Sequence, residues 1–364
     1  MREGMVRIPS GCAVSAVMHT RGRRINGEPI TRSIACMHDR SNGLGGGFAA
    51  YGIYPEFAEL YAFHLLCDGE AARLDADAFL QKHFEVHRAE PVPTRRVREI
   101  TDPPVIWRYF VAPKRECLEH RCIEDERDLV TEAVMAINNR IPGAYVMSSG
   151  KNMGVFKGVG FPEDISRFYR LDEYEGYMWT AHGRFPTNTP GWWGGAHPFN
   201  LLDWSVVHNG EISSYGINKR YLEMFGYRLE LQTDTEVVAY LFDLLHRRHG
   251  LSLQVVCRIL APPFWKDVDK METSEREAYT ALRMVYGSAL MNGPFSIIVS
   301  HSRGLIGLND RIKLRPLVCG KKGDFMLLAS EESALRMLLG DADEVWAVRA
   351  GEPVIVTMER SVAA

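Results

Sequence analysis

Four short stretches of this chain hold residue types suited to chemistry rather than to packing. Cys12 has only eleven residues before it, so one backbone cleavage would make it a chain terminus. A free α-amine titrates at roughly 7.7–8.0 and a free thiol at roughly 8.5. A terminal cysteine thus holds both a nucleophile and the base that takes its proton. The same residue at the head of an apolar run also reads as a small buried hydrophobe. Arg184 stands in Ala181-His182-Gly183-Arg184-Phe185-Pro186-Thr187-Asn188-Thr189, between an apolar run and a proline-broken turn. Its planar fork matches a carboxylate two-to-two, whether that of a ligand or of a surface acid. Asn209-Gly210, within Val207-His208-Asn209-Gly210-Glu211-Ile212, is a common hairpin-turn dipeptide. It is equally a pair of donors, the Asn209 amide and the Gly210 N–H, for an oxygen gaining negative charge. Thr233-Asp234-Thr235-Glu236 caps a helix, or offers the Asp234 carboxylate to the α-ammonium of an amino acid.

Other candidates carry less. The run Gly43-Leu44-Gly45-Gly46-Gly47 lacks dinucleotide-fingerprint spacing, and Gly150-Lys151-Asn152 lacks the remaining parts of a P-loop. His182, His197 and His208 offer zinc-ligating nitrogens at a spacing that matches no common zinc motif, so no metal site is expected. His246 and His249 close a helix, where positive charge suits the dipole.

The elements that must position these groups follow from periodicity and turn residues. Strands are predicted over 12–18, 61–66, 105–111, 177–182, 204–208, 295–300, 305–308, 325–329 and 354–357, and a glycine-rich loop over 43–54 feeds another. Helices are predicted over 29–39, 70–84, 124–140, 233–249, 273–290 and 332–339. A hairpin is predicted over 146–157, turning at Ser149-Gly150-Lys151-Asn152. Strands and helices mix without strict alternation, which argues for α+β layers rather than a doubly wound parallel sheet.

The bulk numbers narrow the class. The 364 residues are 46% hydrophobic and 24% charged, enough for one large core or two modest ones. A net charge of −3 with scattered Lys and Arg gives no reason to expect nucleic acid. No apolar run approaches the roughly 18 residues that span a bilayer, so no membrane association is expected. Seven cysteines, an odd number spread from Cys12 to Cys319, suit reduced thiols and a cytoplasmic setting.

Taken in order, Cys12, the His-Gly-Arg-Phe-Pro-Thr segment, His-Asn-Gly-Glu and Thr-Asp-Thr-Glu resemble the signature set of class II glutamine amidotransferases. Leu308-Asn309-Asp310-Arg311 through Arg315-Pro316-Leu317, and Ala329-Ser330-Glu331-Glu332, extend the likeness over most of the chain. The wording from Arg184 to Thr189 and Trp192-Trp193-Gly194-Gly195-Ala196-His197-Pro198-Phe199 is most similar to glutamate synthases whose amidotransferase is a separate polypeptide. The resemblance implies a four-layer α/β/β/α sandwich of the N-terminal-nucleophile hydrolase type. It implies Cys12 as nucleophile with its freed amine as base, Asn209 and Gly210 as oxyanion hole, Arg184 and Thr187 at the L-glutamine α-carboxylate, and Asp234 at the α-ammonium. Residues 1–11 are then a leader that is removed, and 12–364 the amidotransferase domain. The stretch of about 60–140 fits the minimal domain least and is expected as an inserted α/β segment.

Departures from the pattern are Ala13, where the family usually has Gly after its cysteine, and Gly183, where several relatives carry a bulkier residue. The chain holds no cysteine-rich cluster motif and no barrel of some 250 residues. It is therefore expected to carry no cofactor, and the resemblance implies a glutamate synthase partner that bears FMN and iron–sulfur clusters and receives the ammonia. Two further roles stay open: the glutaminase of another complex, such as an N-methylglutamate synthase-like one, and a catalytically silent regulatory subunit in which Cys12 is never a terminus.

Overall fold

The computed structural model describes residues 11–185 and 191–359. Residues 1–10 of the expected leader, and Thr187, lie outside the described residues. Two antiparallel sheets pack face to face. The first has seven strands in the order Glu344–Ala347, Val318–Lys322, Phe325–Ala329, Ala13–His19, Met178–Gly183, Gly46–Tyr51, Met153–Gly158. The second has five: Phe199–Leu201, Trp204–Gly210, Phe295–His301, Gly304–Asn309, Val354–Thr357.

Side-chain alternation decides which layer each residue serves. On Trp204–Gly210, Trp204 and Val206 join the core beneath the helices, whereas Val207 joins the core with the first sheet. The sheets are bolted together by polar groups as well. The Tyr51 hydroxyl donates to the Asp203 and Ser300 carbonyls at 2.8 and 3.1 Å, and His182 Nε2 meets the His208 carbonyl at 2.9 Å. Helices Glu28–Ala35, Pro162–Phe168 and Glu332–Leu339 cover the outer face of the first sheet. Helix Asp234–Phe242 covers the second, with Tyr215–Met224 against it. The expected α/β/β/α sandwich is thus the observed one.

Helix Asp234–Phe242 is apolar nearly all round, and Thr235 to Phe242 are all buried, as befits a helix wrapped by its neighbours. The Thr233 side chain accepts from the Thr235 N–H, a cap contributing about 1 kcal/mol. The helix was expected to run on to His249; its last turns, Asp243–Arg248, widen into a π-helix. There the buried Asp243 carboxylate is held by Arg247 at 2.5 Å and by the Tyr227 hydroxyl at 2.5 Å.

The stretch around 60–140, expected as an inserted segment, folds around a sheet of its own. Its sheet runs Phe84–Pro91, Val105–Pro113, Tyr61–Cys67, Ala144–Ser148, backed by helices Glu70–His83 and Glu126–Arg140. The last of these strands along the chain, Ala144–Ser148, corrects the predicted hairpin. Ala144–Ser148 pairs with Tyr61–Cys67, while Met153–Gly158 pairs with Gly46–Tyr51 in the seven-stranded sheet. The intervening turn steps between sheets because Ser149 is claimed from outside: its N–H donates to Asn200 Oδ1 at 2.9 Å and its hydroxyl accepts from the Leu202 N–H at 3.0 Å. Among the described residues no helix is long and apolar enough to cross a membrane.

Candidate active site

Strand ends from both sheets meet at one edge of the sandwich. Ala13 pairs with Gly183 in register, which brings Cys12 and Arg184, the next residue on each strand's end, to the same spot. Cys12 is fastened on several sides. The Phe185 N–H donates to its sulfur at 3.3 Å, and Arg40 Nε donates to its carbonyl at 3.3 Å. Arg40 is anchored in turn by Glu331 at 3.0 Å. Two residues on, the Val14 N–H donates to Ser330 Oγ at 3.1 Å. Burial pushes the Cys12 thiol above its ordinary value; the Phe185 N–H and the charges of Arg184 and Arg315 oppose that, and Asp234 adds to it.

The second sheet delivers Asn209 and Gly210 at the end of Trp204–Gly210. Asn209 is fully buried, and neither its Nδ2 nor its Oδ1 has a hydrogen-bond partner among the described residues. An unmet buried amide costs roughly 1–3 kcal/mol, so it marks a place reserved for something else. Gly210 has φ of 134°, and a Cβ there would fall 1.9 Å from the Pro294 carbonyl oxygen. No other residue fits, and the backbone lies bare to the cleft.

Asp234 completes the set from the first turn of its helix. Its Oδ2 accepts the Ile212 N–H at 2.9 Å, tying the helix to the turn that follows Gly210. Burial alone would raise this carboxyl; His208, the Ile212 N–H and the Thr235 hydroxyl outweigh it and hold the group below the usual carboxylate range. Cys12, Arg184, Asn209, Gly210 and Asp234 all line one cleft of about 1000 Å³.

The three histidines cluster, and two of them meet at a hydroxyl. His182 stacks on His197 with ring centroids 4.1 Å apart. His197 Nε2 and His208 Nδ1 lie 2.7 and 3.2 Å from Thr235 Oγ1. Burial holds His182 down at about 3 and His197 well below its ordinary value, so both rings are neutral. Among the described residues no group of His, Cys, Asp and Glu is arranged to hold a metal ion.

Sequence reasoning missed several contributors. Arg40 gave no local signal; only the fold carries it to Cys12. Arg315 stood in a recognised segment without a role, and it lines the cleft. Lys157 and Glu236, both buried, brace the cleft's loops from behind. Lys157 Nζ donates to the Gly194 carbonyl at 2.9 Å, and Glu236 accepts the Leu231 N–H at 3.0 Å. Burial drives Lys157 down to about 7 and Glu236 up to about 8. A lysine inside a strand that otherwise reads Met-Gly-Val-Phe was the one available hint.

The sequence profile of the class-II glutamine amidotransferases matches residues 99–362, well over half of the chain. The chain belongs to that family. The matched stretch contains Arg184, Asn209, Gly210 and Asp234; Cys12 lies before it. A protein of Archaeoglobus fulgidus, described only as uncharacterized, is 53% identical over 347 residues, 94% of this chain and 91% of its own length. A putative glutamine amidotransferase of Methanothermobacter thermautotrophicus is 30% identical over 216 residues, 58% of this chain and 61% of that one. The amidophosphoribosyltransferase of Methanocaldococcus jannaschii is 26% identical over 209 residues, 56% of this chain and 38% of that one. Among solved structures, the glutamine phosphoribosylpyrophosphate amidotransferase of B. subtilis aligns at a TM-score of 0.48 and 16% identity, over 95% of this chain and 47% of its own. Apart from the Archaeoglobus protein, the chain therefore spans less than two thirds of each of these relatives.

Proposed function

We propose that this chain is the glutaminase of a glutamate synthase, releasing ammonia from L-glutamine at Cys12 for a partner subunit that aminates 2-oxoglutarate. The observation that carries the glutaminase part is the convergence of Cys12, Arg184, Asn209, Gly210 and Asp234 on one cleft. Arg184 takes the substrate α-carboxylate and Asp234 its α-ammonium, with Thr187 beside the carboxylate. Held at both ends of its backbone, glutamine presents its side-chain amide to the thiol. Once residues 1–11 are removed, the Cys12 amine accepts the thiol proton and the sulfur attacks the amide carbon. The resulting oxyanion lies between the Asn209 amide and the Gly210 N–H, and collapse of this intermediate expels ammonia, protonated by the ammonium just formed. Water then cleaves the glutamyl thioester.

The acceptor rests on narrower ground, the likeness of the 184–199 segment to glutamate synthases. The partner would carry the FMN and the iron–sulfur clusters, and this chain none. Intact-mass analysis joined to a glutamate-release assay tests the first part: active protein must begin at Cys12. Adding the co-purified partner with 2-oxoglutarate and a reductant tests the second. Glutamate formed in a twofold ratio to glutamine consumed supports the synthase; a ratio of one with the partner present overturns it.

A further inference from the structure

The backbone just ahead of Cys12 is ringed by positive charge. A Cβ on Gly11 would lie 3.5 Å from Arg315 Nη1, 3.6 Å from Arg40 Nη2 and 3.8 Å from Asn209 Oδ1. Gly11 is bonded to the Cys12 nitrogen, so both guanidinium groups stand beside the place where a freed α-amine would sit. They are not equivalent. Arg40 spends its charge on Glu331 and its Nε on the Cys12 carbonyl. Arg315 makes no ion pair among the described residues, and its buried Nε has no hydrogen-bond partner. The charged groups around Cys12 are Arg184 and Asp234 across the cleft, Arg40 with Glu331 from the first sheet's side, and Arg315. In the glutamine complex Arg184 and Asp234 each take one end of the substrate. Arg315 is the cation left over.

We infer that Arg315, with Arg40 beside it, keeps the freed amine of Cys12 in its neutral, proton-accepting form. The inference rests on the glutaminase reading above and goes beyond it by naming what tunes the base. A nearby cation disfavours the ammonium form. An unassisted terminal amine, at roughly 7.7–8.0, is mostly protonated at neutral pH and idle as a base. Lowering it by about one unit leaves about half of it free near pH 7, where a general base works best. Arg315 acts here through the amine as a positioning residue and touches no reacting atom.

The test is the pH dependence of kcat/KM for glutamine, on protein shown by intact mass to run from Cys12 to the end of the chain. Arg315→Gln is expected to move the acidic limb upward by about one unit, a loss of about tenfold near pH 6.5, with the alkaline plateau kept. Arg315→Lys is expected to restore the wild-type profile. A uniform fall at every pH, or an unmoved limb, overturns the inference while leaving the glutaminase reading intact. Wild-type activity with Met1 retained overturns the terminal-amine mechanism on which the inference rests. Should Arg315→Gln fail to fold, Arg315→Met decides by the same profile: the limb must move upward, and an unmoved limb refutes the role.

Discussion

The two sheets bring opposite things to the cleft. The first brings groups that are already held: the Cys12 sulfur receives an N–H, its carbonyl receives Arg40, and Arg40 receives Glu331. The second brings groups left open: Asn209, with both amide atoms unmatched among the described residues, and Gly210, stripped of a side chain by the Pro294 carbonyl. In the mechanism proposed above, Cys12 is the nucleophile, which must arrive oriented, and Asn209 with Gly210 receives the developing charge, where only bonds made in the transition state accelerate the step. The division of labour predicts different kinetic signatures for the two sides.

Cys12→Ala is the severest break. Removing the attacking atom is expected to lower glutaminase turnover by at least about 10⁴-fold while glutamine still binds, checked by product formation beside equilibrium binding. Asn209→Ala breaks the vacant side: kcat falls roughly 10²–10³-fold with KM little changed, read from steady-state kinetics. If KM rises instead and kcat holds, Asn209 grips the ground state and the contrast between the sheets is wrong. Arg184→Ala and Asp234→Asn sharpen the comparison, since each removes one charged grip on the substrate. Each is expected to raise KM roughly 10–100-fold, and an unmoved KM would count against its assignment.

The smallest effect is on stability. Burial holds His182 in the sandwich and His64 in the insert each at about 3. Between that value and the unfolded value near 6.5 the unfolded chain binds more protons, so stability is lost as pH falls through this window. Each ring contributes up to about 1.4 kcal/mol per pH unit. Denaturant titrations from about pH 7 down to pH 4 should show the slope, and His182→Asn should reduce it by one ring's share.

Local pattern made the strands, the main helices and the motif residues readable before any fold was known. Apolar alternation needs no distant information, and neither do caps such as Thr233. What escaped depended on distant partners. The 146–157 stretch has all the marks of a hairpin, yet Asn200, about fifty residues on, claims Ser149 and parts the two strands. Arg40 reaches Cys12 only because the helix Glu28–Ala35 packs behind the first sheet. His197 and His208 meet at the Thr235 hydroxyl and His182 at the His208 carbonyl, partners that spacing alone does not settle. The helices Pro162–Phe168 and Tyr215–Met224 are short, and the second buries only Asn218 and Leu222, an apolar face too thin to read from the sequence.

The strand behind Cys12 lies in the interior of its sheet, with Met178–Gly183 on one flank and Phe325–Ala329 on the other. Neither flank can peel away from an edge without dismantling the layer. Heat should therefore extinguish catalysis and melt the whole domain at one temperature. Calorimetry run alongside residual-activity measurements would trace a single curve, whereas loss of activity well ahead of the heat peak would place the reactive end in a part that loosens by itself.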